Sequence, residues 1–81
     1  MVKIQTSDKF ERILNKLDKS LKLQIDKLLD RIIANPEVGK PMRYERKGTR
    51  ELYLGSHRLA YAYDQATDTL FLLNIYHKNE Q

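Results

Sequence analysis

An α+β fold in two layers is what this 81-residue chain predicts: element order β-α-α-β-β-β-β, a mostly antiparallel sheet with a helical hairpin on one face. Three observations carry that expectation. Apolar residues recur at helical spacing in two stretches between Phe10 and Ile33. Beyond Met42 they recur at the strand period of two. Between Leu54 and His57 stands Gly55-Ser56, and glycine first is a preferred composition for a two-residue hairpin turn.

The elements follow in order. Val2 and Ile4 alternate with Lys3 and Gln5, which reads as a short strand with one buried face. Ser7 or Asp8 caps a first helix, and Asp8 with Glu11 resembles a capping box. Phe10, Ile13, Leu14 and Leu17 form its apolar face, with Lys9, Arg12 and Lys16 toward water. Asp18-Lys19-Ser20 breaks the pattern and can cap a second helix. The stripe of that helix is Leu21, Ile25, Leu28, Leu29, Ile32 and Ile33, and Asn35-Pro36 ends it. So short a junction predicts an antiparallel helical hairpin. Leu23 falls off the stripe, either as a stray exposed leucine or as part of a partner surface.

A loop through Gly39 leads to a strand in which Met42 and Tyr44 alternate with Arg43 and Glu45, ending at Lys47-Gly48. The hairpin comes next. Leu52 and Leu54 share one face of its first strand, Glu51 and Tyr53 the other. In its second strand Leu59, Tyr61 and Tyr63 alternate with Arg58, Ala60 and Ala62. Arg58 beside two alanines is a charge on a thin, open sheet face, to be read either as a phosphate ligand or as a solvated arginine. After a polar turn at residues 64–68, Thr69 to His77 is the most apolar strand and reads as central, buried on both faces.

Composition narrows the function. The length allows a single domain, and a chain this short is often marginal without a partner. No cysteine means no disulfide framework and no thiolate metal site. Two histidines without a cluster argue against structural zinc, and no cofactor signature is present. No apolar run reaches membrane-spanning length and the N-terminus lacks a signal-peptide core, so a cytoplasmic protein is expected. The net charge of +4 is uneven: residues 40–58 carry six basic and two acidic side chains, residues 59–81 one basic and three acidic. That cluster suits a polyanion such as RNA or DNA, or an acidic protein, and is also compatible with an ordinary mixed surface.

The side chains left for chemistry are arginine, lysine, tyrosine, His57 and His77. They suit cleavage of RNA, where the attacking 2′-hydroxyl belongs to the substrate. The protein then supplies proton transfer and positive charge against the phosphorane. His77 is the better histidine candidate, since it closes the apolar strand beside Lys78; the alternative is a satisfied, partly buried histidine. Strict alternation would put His77 with Ile75 and Leu73, and Lys78 with Tyr76 and Asn74.

The words Gly39-Lys40-Pro41, Leu52-Tyr53-Leu54-Gly55, His57-Arg58-Leu59-Ala60-Tyr61-Ala62 and Ile75-Tyr76-His77-Lys78 stand in an order that resembles the RelE/ParE superfamily of type II toxin–antitoxin toxins. The resemblance runs over nearly the whole chain and is nearest to the RelE/YoeB-like branch. It implies a RelE-like fold, a ribosome-dependent mRNA endonuclease that inhibits translation without metal, and a cognate antitoxin as partner, besides ribosome and mRNA. By resemblance Arg58 is the phosphate-contacting arginine, His77 the catalytic histidine and Lys78 a second cation. Lys40, Arg43, Arg46, Lys47 and Arg50 would grip RNA backbone. The chain departs from the pattern at three places: Met42 stands where the YoeB-like branch has glutamate, Glu51 and Tyr53 stand near two lysines of RelE, and no tyrosine follows His77. The general base then falls to Tyr53, Glu51 or His77. A ParE-like poison of DNA gyrase, or a weak family member acting within an antitoxin-bound repressor complex, are the alternatives.

Overall fold

The computed structural model describes residues 2–42 and 48–80. The elements are β1 (Lys3–Thr6), α1 (Asp8–Lys16), α2 (Lys19–Ala34), β2 (Lys40–Pro41), β3 (Arg50–Leu54), β4 (His57–Asp64) and β5 (Thr69–His77), with a closing 3-10 turn at Lys78–Glu80. One five-stranded sheet runs β1-β5-β4-β3-β2. β1 pairs parallel with β5, and every other pair is antiparallel. The α+β architecture and element order are those the sequence predicts.

Local chemistry sets the boundaries. Ser7, not Asp8, is the first N-cap: its Oγ accepts the Phe10 N–H at 3.0 Å and donates to the Leu73 carbonyl at 2.8 Å. One hydroxyl therefore starts α1 and fastens it to β5. Asp18 caps α2 by accepting the Leu21 N–H at 2.8 Å. α2 stops at Ala34, before Asn35-Pro36. Gly55 turns the hairpin with φ 59°, a left-handed value that glycine takes without steric cost.

The core is a single cluster. Phe10 of α1 and Ile25, Leu28 and Ile32 of α2 pack with Leu54, Leu59, Tyr61, Leu70, Leu72 and Ile75 of the sheet. Ile33, expected in the apolar stripe, is exposed instead, as is Leu23.

Two strand expectations meet the sheet here. β5 is an interior strand, between β1 and β4, and no residue of it is exposed. The unbroken apolar run of β5 comes largely from a β-bulge: Ala60 pairs with Asn74 and Tyr61 with Leu72, so Leu73 is left over. Leu70, Leu72 and Ile75 thereby all reach the core, while Phe71 and Leu73 are only half-buried. The second concerns β2, which is Lys40–Pro41, just before the strand expected from Met42. The Met42 N–H then bonds the Thr49 carbonyl at 2.9 Å, and the residues 43–47 expected to continue the strand lie outside the described residues.

The candidate RNA-cleavage site

Strand register builds the site. Across β3 and β4, Tyr53 faces Arg58 and Glu51 faces Ala60; across β4 and β5, Arg58 faces Tyr76 and Ala60 faces Asn74. Opposed residues share a sheet face, so Glu51, Tyr53, Arg58, Ala60, Asn74 and Tyr76 stand together. They alternate with Leu54, Leu59 and Ile75, whose side chains enter the helical core. The polar cluster thus occupies the face turned from the core.

Glu51 is its hub. The carboxylate is 5% exposed, an unusual burial for a charge. Its Oε1 lies 3.1 Å from Arg58 Nη1, and its Oε2 accepts a hydrogen bond from the buried Tyr76 hydroxyl. The Arg58 guanidinium also stacks on Tyr53, with Cζ 4.1 Å from the ring centroid. Desolvation pulls the Arg58 pKa down, but hydrogen bonds to Tyr53 and Glu51 and their charges outweigh it, and the net shift is upward. Arg58 is a fixed cation whose guanidinium is held by a carboxylate on one side and a phenol ring on the other.

The other sequence candidates distribute as follows. Tyr53 is exposed and forms one wall of the cluster. His77 faces His57 across the strands, in the set that includes Leu59 and Ile75 rather than the Arg58 set. The two imidazoles meet edge to face, 5.4 Å apart, and His77 Nδ1 accepts the Asn79 N–H at 3.3 Å. Lys78 is exposed just beyond Tyr76, and its N–H bonds the Ser56 carbonyl at 2.9 Å, fastening the chain end to the hairpin turn. Lys40 is exposed on β2, directly across from Glu51. Arg50 is differently employed: its Nη1 donates to the Glu37 carbonyl at 3.1 Å and the Gly39 carbonyl at 2.9 Å, so it staples the loop before β2. Arg43, Arg46 and Lys47 lie outside the described residues.

Sequence reasoning missed Tyr76 as a site residue and weighed Glu51 only as one of three possible bases. Parity grouped Tyr76 with Asn74, but only the β4–β5 register puts it opposite Arg58.

Among the described residues two clefts adjoin the cluster and another lies in the helical layer. One of 270 Å³ runs from Arg31 past Lys40 and Glu51 to Tyr53. A second, of 210 Å³, lies on the same sheet face beyond Ala60. The third, of 250 Å³, opens between α1 and α2 over Phe10, Leu14, Ile25 and Leu29.

A parallel edge strand, two capped helices, an antiparallel meander and an arginine just after its hairpin turn together define the toxin half of a type II toxin–antitoxin system, of the RelE/ParE superfamily. The chain belongs to the ParE toxin family: residues 4–81 match the family described as ParE toxin of type II toxin–antitoxin system, parDE. Among solved structures it is similar to the toxin–antitoxin complex RelBE2 from Mycobacterium tuberculosis, at 27% identity and TM-score 0.83, covering 94% of this chain and 96% of that one. The YoeB/ParE toxin from Agrobacterium tumefaciens has the same fold at 14% identity and TM-score 0.85, over 94% of this chain and 98% of that one. So does the intact E. coli RelBE toxin–antitoxin complex, at 15% identity and TM-score 0.82, over 95% and 96%. No curated protein sequence matches the chain.

Proposed function

We propose that this toxin is an endoribonuclease that cleaves messenger RNA at the ribosome and so inhibits translation. The observation that carries the reading is the meeting of a carboxylate, a phenol and a guanidinium at Glu51, Tyr76 and Arg58 on one sheet face. RNA brings its own nucleophile, so these three groups cover its activation and the charge on the phosphorane. Arg58 holds the scissile phosphate and neutralises charge as the phosphorane forms. The 2′-hydroxyl attacks phosphorus, its proton passes to the Tyr76 oxygen, and the Tyr76 proton moves to Glu51. The 5′ oxygen leaves with a proton given by the Lys78 ammonium, Glu51 keeps the 2′ proton until solvent takes it, and the products are a 2′,3′-cyclic phosphate and a 5′-hydroxyl. Lys78 follows Tyr76 by two residues, His77 closes the same strand against His57, and Tyr53 buttresses Arg58. Lys40, with Arg43, Arg46 and Lys47, grips the flanking backbone, a sequence-independent and salt-sensitive task.

The test is primer extension on a reporter mRNA in a cell-free translation reaction, with and without ribosomes. Cleavage is expected only with ribosomes. Tyr76→Phe and Glu51→Gln should each lower it about 10²- to 10⁴-fold, the usual share of one proton-transfer group. Arg58→Ala alone strips Glu51 of its countercharge, so it is paired with the double variant Arg58→Ala/Glu51→Gln, expected to be folded and inactive. Intact mRNA with the wild-type protein would sink the nuclease reading.

One observation favours a second reading, a poison of DNA gyrase with no nuclease site. Arg58 is already engaged by Glu51, and His77 pairs with His57 rather than joining Arg58. That reading predicts inhibited supercoiling by the wild type and indifference to Tyr76→Phe.

A cognate antitoxin is the proposed protein partner, and the cytoplasm the proposed compartment. Support comes from the antitoxin-bound state of similar structures and from the surface itself. The cleft between α1 and α2 is floored by apolar side chains and rimmed by Lys22 and Asp26, and Leu23 projects from the same helix. An amphipathic antitoxin helix fits such a groove.

A further inference from the structure

We propose that the 210 Å³ cavity beside the Arg58 cluster is a nucleobase subsite, with adenine as the preferred base; this rests on the RNA-cleavage reading. Met42, Thr49, Ala60, Leu73, Asn74 and Tyr76 line it. It is smaller than the roughly 300 Å³ at which pockets for drug-sized ligands begin, so it suits one flat ring system.

Position is the first argument. Ala60 follows Arg58 by two residues on the same face of β4, a spacing of about 7 Å. A phosphate on Arg58 and its own base over Ala60 therefore fit within the span of a single nucleotide. The methyl of Ala60 leaves the floor open where a larger side chain would fill it.

The bulge is the second. Its extra residue lets Leu73 and Asn74, consecutive in sequence, line the same cavity, which regular alternation would forbid. The cavity gains an apolar wall and an amide together.

Asn74 is the third. Its Oδ1 is shielded from solvent and has no hydrogen-bond partner among the described residues. A buried acceptor left without a donor is destabilising, and native folds rarely keep one. The amide turns on a broad, soft torsion, so Oδ1 can swing toward a donor seated in the cavity. An asparagine amide meets adenine with two bonds, accepting from N6 and donating to N7. Tyr76 joins this subsite to the chemistry, because its hydroxyl bonds Glu51 while its side chain lines the cavity. An aromatic face beside a base contributes stacking as well.

The test is NMR on the ¹⁵N-labelled full chain, titrated with AMP, CMP, GMP, UMP and ribose 5-phosphate. AMP should bind most tightly and shift the Asn74 side-chain amide signals. Ribose 5-phosphate should shift the surroundings of Arg58 and leave Asn74 unmoved. Asn74→Leu should weaken AMP roughly tenfold, the loss of one bidentate base contact, without changing ribose 5-phosphate binding. Ala60→Leu, which fills the floor and leaves Asn74 intact, should do the same. An Asn74 amide unmoved by every nucleotide, or moved equally by ribose 5-phosphate, overturns the subsite. Cut sites mapped on translated mRNA separate it from the nuclease reading. Cleavage with an unchanged pattern in Asn74→Leu overturns the subsite alone. AMP bound through Asn74 by a protein that cuts no mRNA supports the subsite and overturns the nuclease.

Discussion

Tyr61 shows how much one hydroxyl can hold. It is fully buried, accepts the Gly39 N–H at 2.8 Å and donates to the Pro36 carbonyl at 2.8 Å. Tyr61→Phe orphans both backbone groups, at a cost of about 1–3 kcal/mol. For a domain of this size that lowers Tm by several degrees, at roughly 4–8 °C per kcal/mol. Burial also raises the Tyr61 phenol above its ordinary value, against smaller downward pulls from the Gly39 N–H and Arg50. A phenol kept protonated by the fold contributes stability below the ordinary tyrosine pKa of about 10, and that contribution is lost as pH climbs through the raised value. Tyr63 shifts the same way, chiefly through its hydrogen bond to Asp68. Thermal melts should therefore fall in alkali, and less steeply in Tyr61→Phe. At the site, the sequence exposed Arg58 because its neighbours are alanines, and Tyr53 follows from the two-residue turn, which fixes the hairpin register. Tyr76 did not follow, because its partner is set by β4–β5 pairing through a bulge. Nor did Arg50, since no sequence pattern tells a guanidinium bound to loop carbonyls from one free to meet RNA.

Single elements depend on short connections. Ser7→Ala should cost about 1–2 kcal/mol, because it removes an N-cap together with the bond to Leu73. Two glycines offer a contrast. A Cβ at Gly39 would lie 2.6 Å from the Tyr61 hydroxyl and 3.0 Å from the Glu51 carbonyl, so Gly39→Ala must displace the loop or β4. A Cβ at Gly55 meets nothing, and Gly55→Ala bears only the strain of a positive φ, about 1–2 kcal/mol. Chemical denaturation should rank Gly39→Ala as the more damaging. Helices and their caps were legible because hydrophobic spacing and polar caps are local signals. The hairpin was legible for the same reason. The bulge was not: one extra residue inside an apolar run looks like a strand buried on both faces. Nor was the pairing of Lys40 and Pro41 with Glu51 and Arg50 legible, because a proline two residues past a glycine reads as loop.

For the molecule as a whole, size and surface matter most. A core of one cluster in 81 residues leaves a narrow stability margin, so a ligand that binds only the folded form should raise Tm markedly. Leu23→Asp separates fold from docking. The side chain is 54% exposed, so the variant should melt within about 0.5 kcal/mol of wild type, as surface changes do. Antitoxin affinity measured by calorimetry should nonetheless drop. An unchanged affinity would leave Leu23 outside the antitoxin surface.

The sheet also joins stretches far apart in sequence, since β1 at residues 3–6 pairs along β5 at residues 69–72. During synthesis the first strand has no neighbour until the last has emerged. β5 also carries Tyr76, so the strand that gives β1 its partner also brings the phenol to Glu51. A nascent chain halted before β5 has neither the parallel pairing nor that hydrogen bond, so one long-range strand addition closes the sheet and completes the cluster together.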